Sequence, residues 1–126
     1  MRRERLAAYL DSRRHASVVL VGEAAGYRGA RVSGIPFASE RQFSGSGPAE
    51  ASATIVQRTL AELGLEDEVL LWNVVPTHPH EPDRPYTNRR PARGEVELSV
   101  LFLEGGFPCD LREVSSRRWP WPASSA

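Results

Sequence analysis

Lysine is absent from the 126-residue chain, and all sixteen of its basic residues are arginine. This absence excludes the lysine-dependent phosphate loop and Schiff-base chemistry. Cysteine is nearly absent as well, since Cys109 stands alone. A single cysteine excludes an internal disulfide, a zinc site built from cysteines and a four-cysteine iron–sulfur cluster within the chain, and it is typical of a reducing compartment.

Net charge and long apolar runs are also missing. Sixteen acidic residues balance the sixteen basic ones, so no global field draws the chain to nucleic acid or to a membrane, and a polyanion site has to be a local patch. The first apolar run, Val18 to Val21, is far shorter than the ~20 residues of a membrane helix. We therefore expect one cytoplasmic domain without a membrane segment.

Hydrophobic spacing predicts an α/β fold. The expected elements, in chain order, are an amphipathic helix over 2–13, a strand over 17–21 that ends at Gly22, a helix over 49–63, a strand over 69–75 and a helix from about residue 91. Continuous apolar runs predict that both strands are buried in a parallel sheet, and the order strand, helix, strand is a βαβ unit.

The helix over 49–63 is expected to bury Ile55, Val56, Leu60 and Leu63, and Gly64 is its expected C-terminal cap. Long polar loops follow the two strands, over 23–48 and 76–93. Loops of this length in a small domain are usually functional or disordered.

Both long loops leave the carboxyl ends of neighbouring parallel strands, the edge at which open α/β sheets bind ligands. We therefore expect residues 22–37 and 73–93 to face one another across a cleft. Gly22 either lets a ligand approach the backbone closely or forms a tight turn that needs a positive φ.

Asn73 and Phe37 are the residues of this cleft that suit a flat heterocycle. The amide of Asn73 offers one acceptor and two donors, which match a base edge that carries a carbonyl beside an N–H, as uracil does. The alternative for Asn73 is an Asx turn that closes the strand. Phe37 is a candidate to stack on the base, or else a core residue.

The second loop carries two histidines, His78 and His80. Zinc needs three or four ligands, and only Glu81 or Asp83 stands nearby as a third. We therefore expect no metal and no cofactor.

Four arginines of the second loop form a positive patch: Arg84, Arg89, Arg90 and Arg93. Such a patch is suited to a phosphate backbone, although a solvated charged loop is the commoner explanation.

Four segments in this order resemble the uracil-DNA glycosylase superfamily, in particular bacterial members with a G-E-A-P-G first motif. They are Gly-Glu-Ala-Ala-Gly at 22–26, Gly-Ile-Pro-Phe at 34–37, Trp-Asn-Val-Val-Pro at 72–76 and Pro-Tyr-Thr-Asn-Arg-Arg-Pro at 85–91. The resemblance covers about residues 17–111. It implies a three-layer α/β/α fold with a short parallel sheet, and hydrolysis of the N-glycosidic bond of uracil or another deaminated base in DNA, with the base flipped out of the stack.

The resemblance also implies roles for individual residues. Gly22, Glu23 and Ala24 line the pocket, Phe37 stacks on the base, and Asn73 binds its pairing edge. As the only acid of the first motif, Glu23 is the candidate catalytic residue. The expected DNA contacts are Arg84, Asn88, Arg89 and Arg90, and DNA is the expected partner, with no obligate protein partner.

The chain departs from the family pattern at several places. Ala25 stands where the first motif has proline, and no carboxylate stands at Ala24 or at 28–30, where members carry the acid that orients water. The last histidine-containing motif and the third and fourth strands are not found. We therefore predict a glycosylase-like domain over 1–111, followed over 112–126 by an unstructured tail with the composition of an out-of-frame translation.

Two alternatives to an active enzyme follow from these departures. One is a catalytically inactive fragment that binds DNA or a free base through the same cleft. The other is a small nucleotide-binding α/β domain.

Overall fold

The computed structural model describes residues 1–106, with side chains described to residue 100. Its elements, in chain order, are α1 (Arg2–Ser12), β1 (Val18–Ala24), α2 (Ala30–Ser33), α3 (Glu40–Ser44), α4 (Ala51–Leu63), β2 (Val69–Val75) and α5 (Arg93–Gly106). No helix in this part of the chain is long and apolar enough to cross a membrane. The predicted tail over 112–126 lies outside the described residues.

The described sheet consists of β1 and β2, which run parallel in a register that pairs Val18 with Val69 and Ala24 with Val75. The predicted α/β fold with a short parallel sheet is confirmed. The predicted end of β1 at Gly22 is wrong, because the strand continues to Ala24 and Gly22 pairs with Asn73 inside the ladder.

The core lies between β2 and α4. Leu60 of α4 packs against Val69 and Leu71 of β2. Three partly buried side chains extend this cluster: Tyr9, Phe37 and Val56. Helix α5 contacts β2 as well, so the sheet lies among helices, as the predicted layered arrangement requires.

Two predicted burial patterns are wrong. In β1, Val18 and Leu20 are exposed. The described sheet has two strands, and the face of β1 that carries these two side chains is not covered by the described residues. In α4, Ile55 and Leu63 are exposed. This helix buries a narrower stripe than predicted, while Gly64 caps its end in the left-handed conformation with φ 66°, as expected.

The predicted loop over 23–48 contains the short helices α2 and α3. Helix α3 begins with a capping box, in which the backbone N–H of Ser39 donates to the Gln42 side chain at 2.6 Å. Helices of four and five residues are too short to produce a readable hydrophobic period. The second predicted loop, over 76–93, contains no helix or strand before α5 begins at Arg93, apart from an isolated bridge between Glu81 and Arg84.

A part-buried hydrogen bond joins helix α1 to β2. The Tyr9 hydroxyl accepts a hydrogen bond from the backbone N–H of Leu71 at 2.7 Å. Burial raises the pKa of the Tyr9 hydroxyl. Arg5 of α1 also donates to both carboxylate oxygens of Glu40, at 2.7 and 3.1 Å, and this hydrogen bonding lowers the pKa of Glu40. Helix α1 is thereby fixed to both the sheet and α3.

Candidate functional site

Gly22, Asn73 and Phe37 meet at one point of the sheet. A side chain at Gly22 would overlap the Phe37 ring and begin 2.7 Å from Asn73 Oδ1. Gly22 does not have a positive φ, so the tight-turn alternative for this residue is wrong. Glycine is required here because a ring and an amide pack directly over its backbone.

Asn73 is buried, with 4% of its surface exposed, yet its side chain makes no hydrogen bond to any residue within 1–106. It lies in the middle of β2 rather than after it, so the Asx-turn alternative is also wrong. The amide atoms of Asn73 are not among the fully enclosed side-chain atoms of the described residues, so they face open space rather than packed protein. Asn73 lines a cleft, where a ligand can supply the missing partners.

Phe37 has an unusual backbone. Its φ is 52°, in the left-handed region that bulky residues rarely adopt. The Gln57 side chain of α4 donates to the Phe37 carbonyl at 2.9 Å and holds this conformation. The ring contacts the core cluster and also lines the cleft. Its position is therefore compatible with both sequence interpretations, a core residue and a residue that stacks on a base.

The cleft encloses about 280 Å³. Ligand pockets commonly measure ~300–1,000 Å³, so this volume favours a single small ring over a dinucleotide. The lining residues come from both loops and from the start of α4. They are Glu23, Ala24, Ala25, Gly26, Ala30, Phe37, Glu50, Ser52, Asn73, Pro79, Asn88 and Arg89.

Direct hydrogen bonds join the two loops, as the predicted cleft requires. The backbone N–H of Tyr27 donates to the Asn88 side-chain oxygen at 3.1 Å. His78 lies between two backbone carbonyls, with Nδ1 2.9 Å from Ala25 O and Nε2 3.1 Å from Pro85 O. A neutral ring donates to one of these carbonyls and an imidazolium to both. Asn88 and His78 therefore hold the rim of the cleft together.

The histidine pair does not form part of a metal cluster among the described residues. No group of three His, Cys, Asp or Glu side chains within 1–106 is arranged to hold a metal ion. Both nitrogens of His78 face carbonyl oxygens instead.

Arg89 makes structural contacts. Its guanidinium donates to both carboxylate oxygens of Glu95 at 2.8 and 2.9 Å, and to the His80 carbonyl at 2.7 Å. Hydrogen bonds from Arg89 and from the Ala92 backbone lower the pKa of Glu95 to about 2. Arg89 thus fastens the second loop to α5, a role that the charge count alone does not reveal.

The other predicted DNA contacts lie at the surface. Arg90 is exposed, and its Nε lies 3.9 Å from a Glu23 oxygen. The Arg84 guanidinium forms no hydrogen bond or ion pair with another described residue. Within the described part of the predicted patch, Arg84 therefore presents its guanidinium to solvent, whereas Arg90 lies beside Glu23 and the exposed Arg93 pairs with Glu97.

Glu23 and Ala24 line the cleft as predicted. The Glu23 side chain, however, leaves β1 on the face opposite to Gly22, because successive residues of a strand alternate. Glu50 and Ser52 line the cleft although they lie outside the two segments, 22–37 and 73–93, that the sequence predicts to border it. No motif or spacing marks Glu50, which stands at the N-cap of α4 and whose backbone N–H donates to Ser39 Oγ at the start of α3.

Comparison with known proteins identifies a protein family. The family model described as the uracil DNA glycosylase superfamily matches residues 10–108. This range includes both strands and every residue that lines the cleft. No curated protein and no solved structure matches the chain.

Proposed function

Because this chain belongs to the uracil DNA glycosylase superfamily, we propose that it hydrolyses the N-glycosidic bond of uracil, or of another deaminated base, in DNA. The observation that carries the proposal is the Asn73 amide, which is buried, has no partner within the described residues and opens into a cleft beside an aromatic ring. An amide pairs with the carbonyl and N–H of a pyrimidine edge, and a ring stacks on its face.

The chemistry follows from the way the bond breaks. The uracil leaves with the bonding electron pair and becomes an anion, while the sugar develops oxocarbenium character. Fixed dipoles that point at the developing charge lower the barrier most when water is excluded. The Asn73 amide N–H groups are such dipoles, and the residue lies buried within β2.

The target base has to leave the DNA stack to enter the cleft. A cavity of about 280 Å³ accepts one flipped base and excludes the duplex. Arg84 and Arg90, exposed on the loop beside the cleft, are proposed to bind the flanking phosphates. Such contacts make binding depend on salt concentration.

A labelled oligonucleotide with a single uracil, tested both single-stranded and paired, provides the experiment. We expect the protein to create an abasic site that alkali cleaves, and an oligonucleotide with thymine at the same position to remain intact. An Asn73→Leu protein, purified identically, controls for co-purifying glycosylases.

The alternative functions give different results in the same assay. Salt-sensitive binding of uracil DNA without abasic sites would indicate an inactive binding module. Binding of free nucleotides without binding of DNA would indicate a nucleotide-binding domain. Either result would overturn the proposal.

A further inference from the structure

Two carboxylates line the cleft, and they differ in surroundings. Glu23 is exposed, leaves β1 on the side away from Gly22, and has the Arg90 guanidinium 3.9 Å from one oxygen. Glu50 is partly buried at the start of α4, and no arginine, histidine or N-terminal amine of the described chain lies within 4.0 Å of its carboxylate. The negative charge of Glu50 is therefore not neutralised by the described protein.

The Glu50 carboxylate lies directly on the loop backbone that follows β1. A side chain at Gly26 or at Gly29 would overlap the carboxylate oxygens of Glu50. Only glycine permits this approach at either position. The two glycines thus let an acid from α4 reach the cleft that Asn73 and Phe37 also line.

The main chain of Glu50 is fixed on both sides. Its N–H donates to Ser39 Oγ at 2.9 Å, and its carbonyl accepts from Thr54 N and Oγ1, each at 3.0 Å. The Ser52 hydroxyl donates to Oε1 at 3.2 Å. Oε2 has no hydrogen-bond partner within residues 1–106. One oxygen is therefore oriented by the protein, and the other is available to a ligand or to water.

We propose that Glu50 is the catalytic carboxylate that binds and deprotonates the attacking water, an inference that rests on the proposed function. The water oxygen forms a bond to C1′ of the deoxyribose while the bond from C1′ to the base nitrogen breaks. The bonding electron pair leaves with the base, the water proton passes to Glu50, and that proton is later released to the base or to solvent. The products are the free base and an abasic site.

Glu50 and Asn73 are proposed to act on different parts of the nucleotide. A carboxylate on the sugar side stabilises the positive charge of an oxocarbenium-like state and activates water. The Asn73 amide binds the base that leaves. Glu23 has no part in this step. The proposal therefore assigns the catalytic role to Glu50 instead of Glu23, the candidate from the sequence.

Single-turnover excision of uracil by Glu50→Gln tests the proposal. The amide keeps the shape of the side chain and removes its charge and basicity. We expect the rate to fall by about 100-fold or more, with the affinity for uracil DNA unchanged. Glu62→Gln makes the same change at an exposed position of the same helix. This control variant is expected to stay within about threefold of the unsubstituted protein.

A second variant distinguishes catalysis from a structural role. Glu50→Ala is expected to lose excision and to regain part of it when formate is added, because formate supplies a carboxylate to the vacated space. Equal rates for Glu50→Gln and the unsubstituted protein would overturn the assignment of Glu50 while leaving the proposed function intact. Failure of formate to restore any rate would also overturn it. Absence of excision by the unsubstituted protein would overturn both proposals.

Discussion

Asn73 and Gly22 are partners in the parallel ladder, and Asn73 Oδ1 lies 2.7 Å from the point at which a side chain on Gly22 would begin. The cleft therefore depends on the absence of a side chain from one strand and the presence of an unpaired amide on its neighbour. The Phe37 ring covers the same glycine. Gly22, Phe37 and Asn73 are distant in sequence, and the missing side chain of the glycine leaves the space that the ring and the amide occupy.

Gly22→Ala tests this fit. The new methyl group overlaps the Phe37 ring, so the ring has to move, and we expect a loss of about 1–3 kcal/mol in the free energy of unfolding together with a loss of uracil excision. Denaturant titration measures the first effect and the oligonucleotide assay the second. Gly94→Ala is the control, since a methyl group there meets nothing within 4 Å. A Gly22→Ala protein with full stability and activity would contradict the described packing.

Gln57→Leu tests the support beneath Phe37. Removal of the hydrogen bond to the Phe37 carbonyl is expected to cost about 0.5–1.5 kcal/mol of stability. It also releases the left-handed backbone of Phe37, so excision is expected to fall as well. Arg58→Leu, at the next and exposed position, is the control. Equal excision by the two variants would show that Gln57 does not position the ring.

The ion pair between Arg89 and Glu95 predicts a dependence of stability on pH. The folded-state pKa of Glu95 is about 2, below the ordinary value of a glutamate. The contribution to stability is therefore complete above about pH 4.3 and is lost as the pH falls toward 2. We expect the melting temperature of Glu95→Gln to fall less than that of the unsubstituted protein between pH 5 and pH 2.

Glu97→Gln is the matched control for this experiment, because Glu97 pairs with Arg93 on the same helix and both side chains are exposed. Exposed pairs contribute little, so this variant should follow the unsubstituted protein. If the melting temperatures of Glu95→Gln and the unsubstituted protein fell equally between pH 5 and pH 2, the ion pair between Arg89 and Glu95 would not stabilise the fold.

Tyr9→Phe tests the contact between α1 and the sheet. Without the hydroxyl, the buried N–H of Leu71 loses its acceptor, which is expected to cost about 1–3 kcal/mol. Tyr86→Phe removes a hydroxyl from an exposed tyrosine and should have little effect. Chemical denaturation measures both, and equal midpoints for the two variants would contradict the proposed role of Tyr9.

The long periodic elements could be predicted from the sequence because each has a strong local signal. The apolar run of β2 and the end of α4 at Gly64 are examples. The meeting of the two long loops across the cleft could be predicted because parallel strands deliver their following loops to one edge of the sheet.

Other features depend on contacts that no local pattern encodes. The sequence pattern predicts Gly22 at the end of a strand, whereas the need for glycine follows from the Phe37 ring and the Asn73 amide that pack over it. Glu50 reaches the cleft by packing against Gly26 and Gly29, which are more than twenty residues away in sequence. The partner of Arg89 is an acid on α5, and a count of charges does not distinguish such an arginine from one that is accessible to DNA.

Asn73→Leu gives the most direct test of the account, because it separates recognition from stability. Since the amide has no partner within the described residues, we expect the free energy of unfolding to stay within about 1 kcal/mol of the original or to rise. We expect uracil excision to fall by roughly 5- to 150-fold, the equivalent of about 1–3 kcal/mol. A folded Asn73→Leu protein that excises uracil at the original rate would contradict the central claim that this amide recognises the base.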